Sequence, residues 1–150
     1  MSLAALVAAL VASAAFNTAL RAATQVPAPE RADRLRLNSV SEVKGWISSY
    51  YLTHHQRLPA SLGEAASAAG VGPGDASSFI TDPQTKKAMR YTPGAGSSYR
   101  ICVDFNVAAK YRAPVARWNH DAGEYCFTFD AREQGTWRTP RLDNQWWSGC

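Results

Sequence analysis

Three residue types in this chain have the chemistry to form a site: cysteine, histidine and tryptophan paired with arginine. The cysteines are Cys102, Cys126 and Cys150. Cys102 and Cys126 lie in two stretches with strand alternation, Tyr99–Phe105 and Tyr125–Phe129, and are 24 positions apart (126 − 102). Each falls between residues of an apolar face, so each points to the opposite face. Neighbouring strands can join them there. Such a bond stabilises by about 3 kcal/mol through loop-closure entropy and needs an oxidising compartment. The alternative is two small reduced core residues. Cys150 is left over, as a free or intermolecular thiol.

The histidines are weaker candidates. His54 and His55 are adjacent, and adjacent residues on a helix point about 100° apart. A zinc site needs three or four converging ligands, and no Cys/His spacing of that kind includes them or His120. No metal site and no cofactor is expected. Asp82, Asp104, Asp121 and Asp130 are separate and form no acid/base pair. Hydrolase, metalloprotease and phosphate-loop signatures are missing, so no enzymatic role is expected.

The tail carries the strongest hint of partners. Glu133 to Cys150 reads EQGTWRTPRLDNQWWSGC and holds Trp137, Trp146 and Trp147, three of the five tryptophans. Trp and Arg anchor protein interfaces disproportionately. Trp137, Arg141, Trp146 and Trp147 are therefore candidate partner-binding residues. Packing of the rings on their own domain is the equal alternative, ahead of a lipid interface.

The element that must position these groups is a long amphipathic helix beginning near Asp33. Leu37, Val40, Val43, Ile47 and Tyr50/Tyr51 recur at steps of three and four and form one stripe, which Trp46 widens. Arg34, Arg36, Glu42 and Lys44 are expected as polar neighbours. Glu30 and Asp33 lie near the start, where the helix dipole favours negative charge. The pattern stops at Leu58-Pro59, since proline disfavours helical geometry in the residue before it. Ser61 to Ala69 suits a short second helix, with Ser61 and Glu64 as a capping box. Gly70 to Ser78 reads as a flexible loop. Asp82-Pro83-Gln84-Thr85 suits a type I turn. Strands are expected at Ala88–Thr92, Tyr99–Phe105 and Tyr125–Phe129, with a turn at Pro93–Ser97 and a long loop at Asn106–Gly123. Three antiparallel strands covering the helix stripe make an α+β domain.

Ahead of that domain, Ser2 to Leu20 carries no charged side chain and is mostly Ala, Leu and Val. Nineteen helical residues span about 28 Å at ~1.5 Å each, near the ~30 Å hydrocarbon thickness. Arg21 ends the stretch and can snorkel to the headgroups. Ala12-Ser13-Ala14 is a possible signal-peptide cleavage site, but no basic segment precedes the apolar run, so an uncleaved anchor is preferred. The expected organisation is an anchor over 1–21, a Pro-containing linker over 22–30, an α+β domain over 31–131 and a Trp-rich tail over 132–150. Arg21, Arg31, Arg34 and Arg36 follow the apolar run, which by the positive-inside rule puts the domain in the cytoplasm. The cysteines argue the opposite, and a periplasmic domain is preferred.

The sixteen basic residues are scattered, and the formal charge is +4. Nucleic-acid binders cluster such residues on one element, so they read here as solvated surface.

The order Tyr50-Tyr51, His55, Leu58-Pro59, Ser61-Leu62, Asp82-Pro83, Tyr91 and Tyr99-Arg100-Ile101-Cys102 resembles the extracytoplasmic part of type IV pilin-like proteins, including the pseudopilins of type II secretion. It also resembles single-pass bacterial membrane proteins whose outer domain ends in a series like Trp118-Asn119-His120-Asp121-Ala122-Gly123 with Cys126-Phe127. The resemblance spans roughly residues 30 to 131 and implies an N-terminal helix packed on an antiparallel sheet. The prepilin cleavage motif is not found: no glycine precedes Gly45, and no acidic residue precedes Glu30. The expectation is a pilin-like domain used as a fixed, non-catalytic subunit of a bacterial inner-membrane assembly (photosynthetic, respiratory, secretory or transport). Its partners would be other membrane-protein subunits and the bilayer, through residues 2–20. A minor pseudopilin and a periplasmic ligand-binding module are the alternatives.

Overall fold

A computed structural model describes residues 28–134 and 137–139. The proposed anchor, most of the linker, and Arg141, Trp146, Trp147 and Cys150 lie outside the described residues. Among the described residues no helix is long and apolar enough to cross a membrane.

The chain folds as α+β. Helix α1 (Ala28–Thr53) comes first, followed by α2 (Leu62–Ala68) and α3 (Pro73–Ile80). Strands β1 (Arg90–Pro93), β2 (Ser98–Phe105) and β3 (Gly123–Asp130) follow, with a short 3-10 helix, Ala116–Trp118, between β2 and β3. The strands form one antiparallel sheet in the order β1-β2-β3.

Helix α1 is the axis of the core. Leu37, Val40, Val43 and Ile47 are fully buried, and Trp46 and Tyr51 nearly so. They pack on the inner face of the sheet, where Tyr99, Ile101, Phe105, Phe127 and Phe129 are buried. The outer face carries Arg90, Thr92, Arg100, Asp104, Glu124 and Thr128 and is exposed. This is the period-two pattern of a sheet packed on one side. Tyr50 leaves the stripe: it is half-buried and stacks on His54.

Several expectations are corrected by the structure. The helix begins at Ala28, with Pro29 in its first turn, where a missing N–H costs nothing. It ends at Thr53 rather than Leu58, because His55 and Gln56 take φ of 55° and 57°, left-handed values that stop a right-handed helix. The glycine-rich stretch expected as a loop contains α3. Pro73 sits at its first turn with Asp75 near its N-terminus, both favourable there. Ala76 is buried, and Phe79 meets Trp46 edge-on with ring centroids 5.5 Å apart. Tertiary packing thus fixes a segment whose composition reads as flexible.

Arg34, Arg36 and Lys44 are the second correction. They were expected at the solvated flank, yet all three are at most 3% exposed. Helix α1 is enclosed on three sides: by the sheet, by α2 and α3, and by the chain after β3. Ser41, Lys44 and Ser48, at steps of three and four, hold that last segment. Ser41 Oγ donates to the Trp137 carbonyl at 2.7 Å, and Lys44 Nζ and Ser48 Oγ donate to the Glu133 carbonyl at 2.7 and 2.9 Å.

The capping box at α2 forms. The Glu64 amide donates to Ser61 Oγ at 3.1 Å, while Glu64 Oε2 accepts from the Ala60 amide at 2.6 Å. Tyr50 also donates to Glu64 Oε1 at 2.5 Å, which ties the end of α1 to α2.

Candidate functional site

Residues 81–90 connect α3 to the sheet and follow β2 only partway. β1 pairs with β2 from Pro93↔Tyr99 to Arg90↔Cys102, whereas β3 pairs with all of Ser98–Phe105. Before Arg90 the chain folds back on itself. Thr81 bridges Ala88, and the Met89 amide donates to the Ile80 carbonyl at 2.7 Å. Between this arm and the free length of β2 lies a cavity of about 270 Å³. Ser39, Phe79, Met89, Cys102, Val103 and Asp104 contribute to its wall.

A clasp of polar side chains supports one end of the cavity. Arg36 donates from Nη1 to Asp33 at 2.5 Å, from Nε to Asp82 at 2.5 Å and from Nη2 to Gln84 at 2.8 Å. Asp33 also accepts from the Asn106 and Val107 amides at 2.9 and 3.0 Å, fixing the chain as it leaves β2. Asp82 accepts the Gln84 and Thr85 amides at 2.9 and 2.7 Å, so the expected Asp-Pro turn is present. Burial opposes the Asp82 charge. Hydrogen bonds from Arg36, Thr85 and Gln84 outweigh it and hold the carboxyl well below the usual range. The same carboxylates hold the Arg36 guanidinium above its ordinary value despite burial.

Cys102 and Cys126 form a disulfide and are directly paired across β2 and β3, with Cα atoms 4.0 Å apart. They point away from the helix, as their place in the alternation implies. Trp137 is half-buried on its own domain. Its ring meets Phe129 at 4.8 Å and Trp118 at 5.3 Å, with Arg117 4.5 Å and Lys44 5.3 Å from its centre. The self-packing alternative describes this residue. Burial pushes the Lys44 ammonium below its ordinary value.

The structure does not bring the three histidines together. His54 stacks on Tyr50 at 3.9 Å and His55 is exposed. His120 is buried and stacks on Phe105 at 3.6 Å. Burial pushes the His120 imidazole down, so the neutral ring is favoured. Among the described residues no three His, Cys, Asp or Glu side chains converge as a metal site would require.

The Arg36 clasp is not apparent from motifs, yet a signal exists. Arg36, Val40 and Lys44 are four apart, so both cations share a helix face with stripe residues. Asp33, one turn before Arg36, is the matching anion.

Comparison with family models, with curated proteins and with solved structures finds no match. What can be said of function therefore rests on the chain itself.

Proposed function

We propose that this protein is a membrane-anchored, non-catalytic accessory subunit of a bacterial inner-membrane assembly. Residues 2–20 would cross the bilayer and a pilin-like domain would face the periplasm. The observation that carries the reading is the Cys102–Cys126 bond between directly paired strand residues. Such a bond persists in an oxidising compartment, and Ser2–Leu20 is apolar enough to deliver the domain there. The long helix laid on a three-stranded antiparallel sheet agrees with the pilin-like arrangement. The clasp, disulfide and buried tryptophans make the domain a rigid part rather than a moving one.

Partners would be other membrane subunits, met by the anchor, the outer domain and the tail residues Arg141, Trp146 and Trp147. The test is purification from membranes in mild detergent, with alkylation of free thiols before and after reduction. The expected result is a membrane-bound chain with two protected cysteines, eluting with defined partners. A monomer in the soluble fraction with every cysteine reactive would end the proposal.

A second reading, a minor pseudopilin, is favoured by the same helix-on-sheet arrangement. Incubation with a prepilin peptidase separates the two. Cleavage supports the pseudopilin, and an intact chain supports the fixed subunit.

A further inference from the structure

The cavity beside β2 combines an apolar wall with a charged rim. Phe79, Met89 and Val103 are half-buried and leave part of their surface to it. Phe79 is held there by its edge-on contact with Trp46, and Val103 by its place in β2. The volume of about 270 Å³ lies just under the ~300–1,000 Å³ of pockets for drug-sized molecules. An occupant of that size is a small molecule, larger than a single side chain.

Charged residues of both signs line the cavity: Arg36, Lys87 and Arg90 against Asp82, Asp104 and Glu124. Arg36 is paired with Asp82, and Arg90 with Glu124. Lys87 and Asp104 are left with no ion pair among the described residues. Lys87 belongs to the arm and Asp104 to β2, so they border the cavity from two sides. The arm is fixed, since the Lys87 carbonyl accepts from the Asp82 amide at 2.8 Å and Asp82 is held by Arg36. Asp104 stands directly opposite Glu124 in the register, and like charges so placed repel, which favours a cation beside Asp104. The narrow Cys102–Cys126 pair, 4.0 Å between Cα atoms, turns the Asp104 amide and carbonyl away from β3 and toward the arm. β1 begins at Arg90, opposite Cys102, and gives them no ladder partner. They add one donor and one acceptor, the two groups that a single peptide unit pairs with.

We propose that this cavity is a binding site for a short free peptide of dipeptide size with apolar side chains. Its terminal ammonium would meet the Asp104 carboxylate, its terminal carboxylate the Lys87 ammonium, and its amide the Asp104 main chain. Its side chains would lie on Phe79, Met89 and Val103. Charge-assisted hydrogen bonds at the two ends would fix its orientation. An internal stretch of a protein has no terminal charges to offer Lys87 and Asp104, so the site selects a free zwitterion. A ligand site of this kind goes beyond the accessory-subunit reading and does not rest on it.

The test titrates the full chain in detergent micelles with leucyl-leucine and follows the amide resonances by NMR. The N-acetylated dipeptide, which lacks the ammonium, and the dipeptide amide, which lacks the carboxylate, are the controls. The expected result is saturable binding of leucyl-leucine that shifts the Asp104 and Met89 amides, with each control about fivefold weaker. Asp104→Asn should weaken leucyl-leucine by a similar factor and leave the N-acetylated form unaffected. Lys87→Gln should do the same for leucyl-leucine and leave the amide form unaffected. Both positions are exposed, so the fold does not depend on them. Arg100→Gln, on the exposed outer face away from the cavity, should change nothing. Equal binding of the controls, affinities that neither variant alters, shifts confined to residues outside the cavity, or no binding would overturn the site. Co-purification from membranes tests the subunit reading separately, so failure of one does not imply failure of the other.

Discussion

Arg36 and Asp82 are 46 residues apart in the chain and meet at 2.5 Å, Nε to Oδ2, with Arg36 only 3% exposed. This contact joins the first helix to the turn that delivers the chain into the sheet. Replacing Arg36 by leucine would leave the Asp33 and Asp82 carboxylates without their shared cation. The expected cost is about 3–5 kcal/mol, read as a lower urea midpoint with an unchanged slope. A loss below about 1 kcal/mol, the scale of an exposed pair, would show that the clasp does not hold the fold.

His120 should make stability depend on pH near neutrality. Burial lowers its pKa in the folded chain, while the unfolded chain titrates near ~6.5. Between those values the unfolded state binds a proton that the folded state does not. Stability is therefore complete above about pH 6.5 and declines as pH falls through the window below it. His120→Phe keeps an aromatic partner for Phe105 and should flatten the profile. Urea midpoints across the acid range, wild type against variant, provide the check; parallel profiles would refute the assignment.

The cross-strand disulfide should contribute about 3 kcal/mol. Its cysteines are separated by 24 positions. Serine at both positions should lower the melting temperature while retaining far-UV helix and strand signals. Peptide mapping without reductant should recover Cys102 and Cys126 in one linked fragment. Recovery of either cysteine linked to Cys150 would contradict the pairing.

Gly94 is held by space rather than by backbone angle. A Cβ built there falls 2.8 Å from the Ser98 carbonyl oxygen, the atom that accepts the Gly94 amide. Gly94→Ala must push the hairpin apart and should cost about 1–3 kcal/mol. Gly74→Ala is the comparison, since nothing lies within 4 Å of its added carbon. Equal stability of the two variants would show that the hairpin yields freely.

The sequence reveals the helix stripe, the α2 cap, the three strands and the cysteine pair. Each of these is written in local spacing or in a turn residue. What it hides depends on contacts distant in sequence. Arg36 and Lys44 carry charges that composition assigns to solvent, and Asp33, Asp82, Gln84 and the Glu133 carbonyl help make their burial tolerable. α3 is hidden because Gly72 and Gly74 argue for a loop until Ala76 and Phe79 are seen against the core. The late start of β1, at Arg90 rather than Ala88, is hidden because strand length is settled by the arm that folds back at Met89 and Ala88. The neighbours of Trp137 are hidden likewise, since Lys44 and Arg117, which lie near its ring, are distant from it in sequence.

The sulfur bridge also bears on how this domain survives outside a protected compartment. The chain between Asn106 and Ala122 includes exposed positions such as Lys110, Arg112 and Arg117 that trypsin-like proteases recognise. A cut at any of them would fall inside the loop closed by Cys102 and Cys126. The two fragments would stay covalently joined through neighbouring strands. A nicked molecule would keep its mass until a reductant divided it.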